Sequence, residues 1–115
     1  MKKTKKNILK YPLYEDMLIS ELKQNPRRAA AYLEASLEAF YEDGNTDAFL
    51  LALRHLAAAQ GGFSALAKKT SLNRQGLYRM LSRSGNPRLD TLGAVINALG
   101  FQLTIKPKAN RAHGA

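Results

Sequence analysis

Four side chains in the second half of the chain have the types and spacing to read nucleic-acid bases: Arg74, Gln75, Tyr78 and Arg79. An Arg guanidinium forks onto O6 and N7 of guanine, and a Gln amide pairs in the same two-point way with adenine. On a helix these positions are spaced to share one side, so the four side chains would face a groove together. Arg74 and Gln75 would open that helix and reach deepest. Tyr78 and Arg79 lie one turn on, with Arg79 suited to a base or a phosphate and Tyr78 to a sugar or a thymine methyl.

Such a face is useful only on a helix that is held rigidly. Residues 63–83 read FSALAKKTSLNRQGLYRMLSR, the pattern of a helix-turn-helix, in which a short helix braces a second one against the major groove. Leu66, Leu72, Leu77 and Met80 fall at inward positions, and Ala67 and Gly76 are small where the two helices are expected to cross. Thr70 to Asn73 fit the turn, with Ser71 at a corner that favours positive φ and Asn73 as the cap of the reading helix. Ser64, Lys68, Arg83, Asn86 and Arg88 surround the unit as candidate phosphate contacts, which position a protein without specifying sequence. Lys69 reads as a solvent-exposed charge acting only at long range.

The charge pattern supports a polyanionic partner. The chain of 115 residues has a formal net charge of +9, but unevenly spread. Eight of the nine acids and only three of the eighteen bases lie between Glu15 and Asp47, a net −5 there against +14 elsewhere. Phosphate would repel the acidic part and leave it free to face something else. With no Cys, disulfides, thiolate catalysis and Cys-based zinc sites are excluded. No apolar run approaches a membrane span and the basic start lacks a secretory pattern, so the expectation is a cytoplasmic protein without a membrane partner.

No catalytic, cofactor or metal site is expected. His55 reads as a partly exposed surface residue in mid-helix, and His113 sits far away in the tail. Glu34, Glu38 and Glu42 follow i, i+4 spacing on one helix, the pattern of a solvated or partner-facing acidic ridge.

The elements around the unit follow from periodicity and punctuation. Residues 13–24 predict a short helix burying Leu18, Leu22 and one of Tyr14 or Met17, after a basic arm over residues 1–10 that is a mobile tail or a second DNA contact. Asn25 and Pro26 are a cap and a first helical position, opening an amphipathic helix to about Glu42 that Gly44 ends. Asn45 caps the next helix, whose inward side is Phe49, Ala52, Leu53, Leu56 and Ala59 or Gln60, stopped by Gly61 and Gly62. A last helix carries Leu89, Leu92, Val95, Ile96 and Leu99 and ends at Gly100. Phe101, Leu103 and Ile105 alternate with polar residues as one short strand, which needs a partner from a symmetric copy or another protein and so marks a dimer surface. Three parts result: 1–24, a helical domain over 25–107, and a flexible tail over 108–115.

The segment from about Tyr32 to Pro107 resembles the HigA-like family of addiction-module antidote (antitoxin) proteins, relatives of phage-repressor (Xre/Cro-like) helix-turn-helix domains. The resemblance lies in YLEASLEAF, DAFLLALRHLAAAQGG, SLNRQGLYRMLSRSGNPRLDTL and NALGFQLTIKP. It implies an all-α, lambda-repressor-like bundle, here with an N-terminal helical extension and the short C-terminal strand. It also implies a homodimer that binds a pseudo-palindromic operator in double-stranded DNA at its own promoter, and a RelE/HigB-like ribonuclease toxin that the antidote occludes. The family's reading positions fall on Arg74, Gln75, Tyr78 and Arg79. The polar residue that often opens the brace helix and binds phosphate is replaced here by Phe63, which moves that role to Ser64. The helix over 26–42 and the segment before it are the expected toxin-binding part, through Glu34, Glu38, Tyr41 and Glu42. A prophage-type transcription regulator with no toxin partner is the alternative of the same fold, and an interaction module with incidental charge is a third reading.

Overall fold

The computed structural model describes residues 14–108. These form six helices in chain order: α1 over residues 14–24, α2 (Pro26–Asp43), α3 (Asp47–Ala59), α4 (Gly62–Thr70), α5 (Arg74–Met80) and α6 (Leu89–Ala98). The basic arm over residues 1–10, the tail from residue 109 and His113 lie outside the described residues. Among the described residues no helix is long and apolar enough to cross a membrane.

The breaks between helices fall where the backbone chemistry puts them. Asn25 ends α1 with its N–H on the Glu21 carbonyl, and its Oδ1 accepts from the N–H groups of Arg27 (3.1 Å) and Arg28 (3.2 Å). Pro26 follows, unable to donate to a continued α1 but preset for the first turn of α2. Gly44 closes α2 at φ 74°, its N–H on the Phe40 carbonyl. Asn45 does serve the start of α3, with its Oδ1 accepting from Asp47 N–H at 2.8 Å, but from one residue outside the cap position, which is Thr46. At the other end of the chain, Leu99 and Gly100 close α6 in a Schellman arrangement. Gly100 (φ 96°) donates to the Asn97 carbonyl and Phe101 to that of Ile96.

α3 is the centre of the molecule. Phe49, Ala52, Leu53, Leu56 and Ala59 are buried, and so are Leu50, His55 and Ala57, which lie outside the inward stripe that periodicity defines. The reason is packing on more than one side: α2 covers one flank of α3, α4 another, and α4 in turn carries α5 and α6. A side chain that periodicity would place on an outer face therefore meets a second neighbour. The rest of the core comes from Leu18 and Leu22 of α1, Ala29 and Leu33 of α2, Leu66, Leu77, Leu81, Val95, Ile96 and Leu99.

Several expectations are corrected. In α1 neither Tyr14 nor Met17 is buried (65% and 66% exposed); Ile19 packs on the core instead. In α2 Tyr41, which recurs at helical spacing with Ala29, Tyr32, Leu33, Leu37 and Phe40, is exposed, and Ser36 is buried with its hydroxyl donating to the Leu33 carbonyl at 2.7 Å. Leu89 is exposed, because it opens α6 a turn before the buried side begins near Leu92. Gly76 does not serve a helix crossing: a Cβ there would meet only Asn73, at 3.7 Å and beyond. Among the described residues there is no strand, and 101–108 run without regular structure. The Schellman bonds draw Phe101 onto the core, and a strand needs backbone partners that this chain does not supply.

His55 is the largest correction. It is 7% exposed and joins three helices. Its Nδ1 lies 2.7 Å from the Tyr32 hydroxyl of α2, and its Nε2 lies 3.0 Å from Glu15 Oε2 of α1. An ionised carboxylate only accepts, so Nε2 carries a hydrogen and donates to Glu15; in the neutral ring Nδ1 then accepts from Tyr32. Burial raises the pKa of the Tyr32 phenol, which keeps the donor proton in place. Leucine at position 55 would leave the Tyr32 hydroxyl short of a partner. We expect His55→Leu to cost about 1–3 kcal/mol and to raise hydrogen exchange over residues 14–24 more than in α4 and α5. Uniform exchange across the chain would mean that the bonds do not hold α1.

Gly85 is required by a close approach. A Cβ there would stand 2.1 Å from the Met80 carbonyl oxygen and 2.9 Å from that of Ser82. Gly85→Ala should lower stability by on the order of 2 kcal/mol or more, read as a fall in the denaturant midpoint with an unchanged slope. An unshifted midpoint would contradict this turn geometry.

Candidate functional site

The candidate site is built on α4, α5 and the three-residue turn between them. Thr70 orders the turn, its hydroxyl donating to the Leu66 carbonyl at 2.8 Å and accepting from Leu72 N–H at 3.2 Å. Ser71 then takes the left-handed conformation, φ 61° and ψ 25°, at the corner where the sequence places it. Asn73 caps α5 by accepting from Gly76 N–H at 2.8 Å. Leu66 and Leu77 are buried and Leu72, Ala67 and Met80 pack against the core, so α5 is fixed by its inner side.

Its outer side carries the four expected reading residues. Arg74, Gln75, Tyr78 and Arg79 are all exposed and line one shallow concavity together with Phe63 from the start of α4. Phe63 and Tyr78 meet edge to face, with ring centroids 5.4 Å apart and planes at 75°. Arg74, Arg79 and Lys68 have no ion pair among the described residues. Two of these cationic heads, Arg74 and Arg79, thus line the concavity beside one aromatic wall.

The structure places the surrounding candidates less uniformly. Ser64 and Lys68 are exposed on α4, and Arg83, Asn86 and Arg88 are exposed on the loop after α5. Acids meet two of these bases, Asp47 through the fold and Asp90 from two residues along the chain. Arg83 Nε lies 3.9 Å from Asp47 Oδ2, and Arg88 Nη2 lies 3.1 Å from Asp90 Oδ2. Both pairs are largely exposed and therefore weak, but each tempers the charge a phosphate would meet. Asp47 also accepts from Ser84 N–H at 3.3 Å, tying the start of α3 to the loop.

Two residues that matter to this site lie outside the sequence pattern. Arg54 of α3, which by sequence reads as exposed on the same turn as His55, is half-buried and donates from Nη1 to the Leu81 carbonyl at the end of α5. Nothing local to Arg54 signals this, because its partner is 27 residues away. Phe63, set aside as a non-polar replacement, forms part of the concavity. Its pairing with Tyr78 depends on the turn angle and leaves no mark in spacing.

The acidic candidates form a separate face. Glu34, Glu38, Tyr41 and Glu42 are exposed on α2, with Tyr41 at 74% and its ring 5.7 Å from that of Phe40. α2 packs on α3, whereas α5 and α6 pack on α4, which itself packs on α3. At the C-terminus, Phe101 is half-buried, while Leu103 is 41% and Ile105 99% exposed. Among the described residues no group of three or more His, Cys, Asp or Glu is placed to hold a metal ion.

The family model for probable addiction module antidote proteins matches residues 14–107. An uncharacterized protein of Haemophilus influenzae is 31% identical over 74 residues, which is 64% of this chain and 75% of that protein. No solved structure matches the chain. Because the family match spans nearly all of the described residues, the chain belongs to the family of probable addiction module antidote proteins.

Proposed function

We propose that this chain is the antitoxin of a type II toxin–antitoxin module and a sequence-specific autorepressor. In this reading α4 and α5 are a helix-turn-helix of the lambda-repressor kind, α5 enters the major groove, and Arg74, Gln75, Tyr78 and Arg79 read bases. Ser64, Lys68 and Asn86 hold phosphates, joined by Arg83 and Arg88 once DNA competes with Asp47 and Asp90. The observation that carries the reading is the outer side of α5: four long polar side chains in one concavity, with both arginines unpaired.

The acidic face of α2 is the proposed seat of a basic toxin of the RelE/HigB type. Charge supports it, since Glu34, Glu38 and Glu42 with exposed Tyr41 offer an acidic ridge that phosphate would repel. A homodimer completes the scheme, with exposed Leu103 and Ile105 offered for pairing between copies. The same geometry serves a prophage-type regulator without a toxin, and the gene beside this one separates the two readings.

The deciding experiment is fluorescence anisotropy of the full chain on its own upstream DNA against a scrambled duplex. We expect a preference of about a hundredfold or more, and a fall in affinity of roughly 10³-fold between about 50 and 200 mM salt if about six phosphates are contacted. Arg79→Ala should cost about 1–3 kcal/mol on the preferred duplex and much less on the scrambled one. An equal loss on both would make Arg79 a phosphate ligand, and no preference at all would refute sequence-specific reading.

The toxin surface is tested by charge reversal, because deleting α2 would strip the cover from α3. Glu34→Lys with Glu38→Lys should weaken co-purification of the neighbouring gene's product by tenfold or more, roughly the loss of 1.4 kcal/mol or more of coupling, while DNA preference is retained. Undiminished co-purification would move the toxin surface elsewhere.

A further inference from the structure

The outer concavity of α5 is chemically two-sided. Arg74, Gln75 and Arg79 supply hydrogen-bond donors, and Phe63 with Tyr78 supplies an aromatic wall. The donors have obvious partners in the acceptor atoms of purines. The wall can pack on a sugar, which carries no sequence information, or on an apolar group of a base edge. Among the base edges there, the C5 methyl of a pyrimidine is the sole apolar group.

The wall is also held in place. Tyr78 is 60% exposed, and an isolated exposed tyrosine samples several rotamers. Here Phe63 meets its ring edge to face at 5.4 Å and 75°, the geometry that aromatic pairs prefer. Phe63 is itself half-buried and packed on the core, so the contact ties Tyr78 to the body of the protein. Ordering a ring before binding lowers the entropy that binding must otherwise lose. The turn makes this possible: Ser71 in the left-handed region and the Asn73 cap set α5 across α4 so that residues 63 and 78 meet.

We propose that Phe63 and Tyr78 form a reader of a pyrimidine C5 methyl group, set beside the purine-reading donors Arg74, Gln75 and Arg79. Tyr78 makes the contact and Phe63 is a positioning residue that acts through it. The inference rests on the DNA-reading role of α5 proposed above. It adds a specificity element that hydrogen-bond donors alone do not provide, since thymine and uracil present the same acceptors and differ only in that methyl. The natural sources of the group are thymine and 5-methylcytosine.

The test starts from a duplex pool randomised over about 20 base pairs, a span wide enough for two half-sites a helical turn apart, enriched on the full-length protein. The selected duplex is then scanned by replacing each thymine with deoxyuridine, and separately each cytosine with 5-methylcytosine. We expect one thymine per half-site at which loss of the methyl weakens wild-type binding by about three- to tenfold, the scale of one buried methyl. In Tyr78→Ser that ratio should fall to one; in Tyr78→Phe it should persist. Phe63→Ala should shrink the ratio while leaving the response to purine changes intact, a readout that general loss of stability does not move. A gain on 5-methylcytosine with no thymine effect would support the reader with the other source.

An enriched duplex whose scans are flat, or a methyl ratio unchanged in Tyr78→Ser, overturns this proposal and leaves sequence-specific reading standing. A pool that yields no enriched sequence overturns both.

Discussion

Everything in this molecule hangs on the burial of α3. A helix packed on more than one flank leaves little surface for an unsatisfied polar group, because a buried donor or acceptor without a partner costs a few kilocalories per mole. The polar side chains of its second half are accordingly all used, and each ties down a different neighbour. Arg54 donates to the Leu81 carbonyl at the end of α5. His55 bridges Tyr32 of α2 and Glu15 of α1. Gln60, just past the helix, donates to the Leu99 carbonyl at the end of α6 at 2.8 Å. One apolar helix thus fixes the direction of four others, and the orientation of α5 toward any ligand is inherited from it.

The same arrangement separates the two kinds of surface. The acidic ridge of α2 lies on one flank of α3 and the basic α4–α5 unit on another, so neither has to be neutralised by the other. Where acid and base do meet, at Arg83 with Asp47 and Arg88 with Asp90, the pairs sit at the rim of the unit and not on α5. The free cations on α5 are therefore the ones nearest the concavity. A molecule with this distribution can hold a polyanion at one surface and a cationic partner at another, which is what the proposed double role requires physically.

Much of this was legible in the chain. The caps at Asn25 and Asn73, the stop signals at Gly44 and Gly100, and the corner at Ser71 are local chemistry, decided within four residues. So is the clustering of Arg74, Gln75, Tyr78 and Arg79, because helical periodicity alone sets which side chains share a side. The readings that failed share a different character. His55 reads as a surface residue because a lone His beside an Arg in mid-helix carries no sign of the two helices that cover it. Alternation places Phe101 in a strand, whereas the closing bonds at Gly100 turn it onto the core.

By itself, then, the sequence determined where helices start and stop, which residues line the outer side of α5, and that acid and base are segregated along the chain. These depend on hydrogen bonds and side-chain spacing over a few residues. Only the tertiary structure decided that α3 is covered on several sides, that Arg54 and His55 are structural ties, and that Asp47 tempers Arg83. Only it decided, too, that Phe63 meets Tyr78. Those outcomes depend on contacts between segments far apart in the chain, many of them 20 to 40 residues, whose geometry is set by packing of the whole core and leaves no periodic trace in either segment.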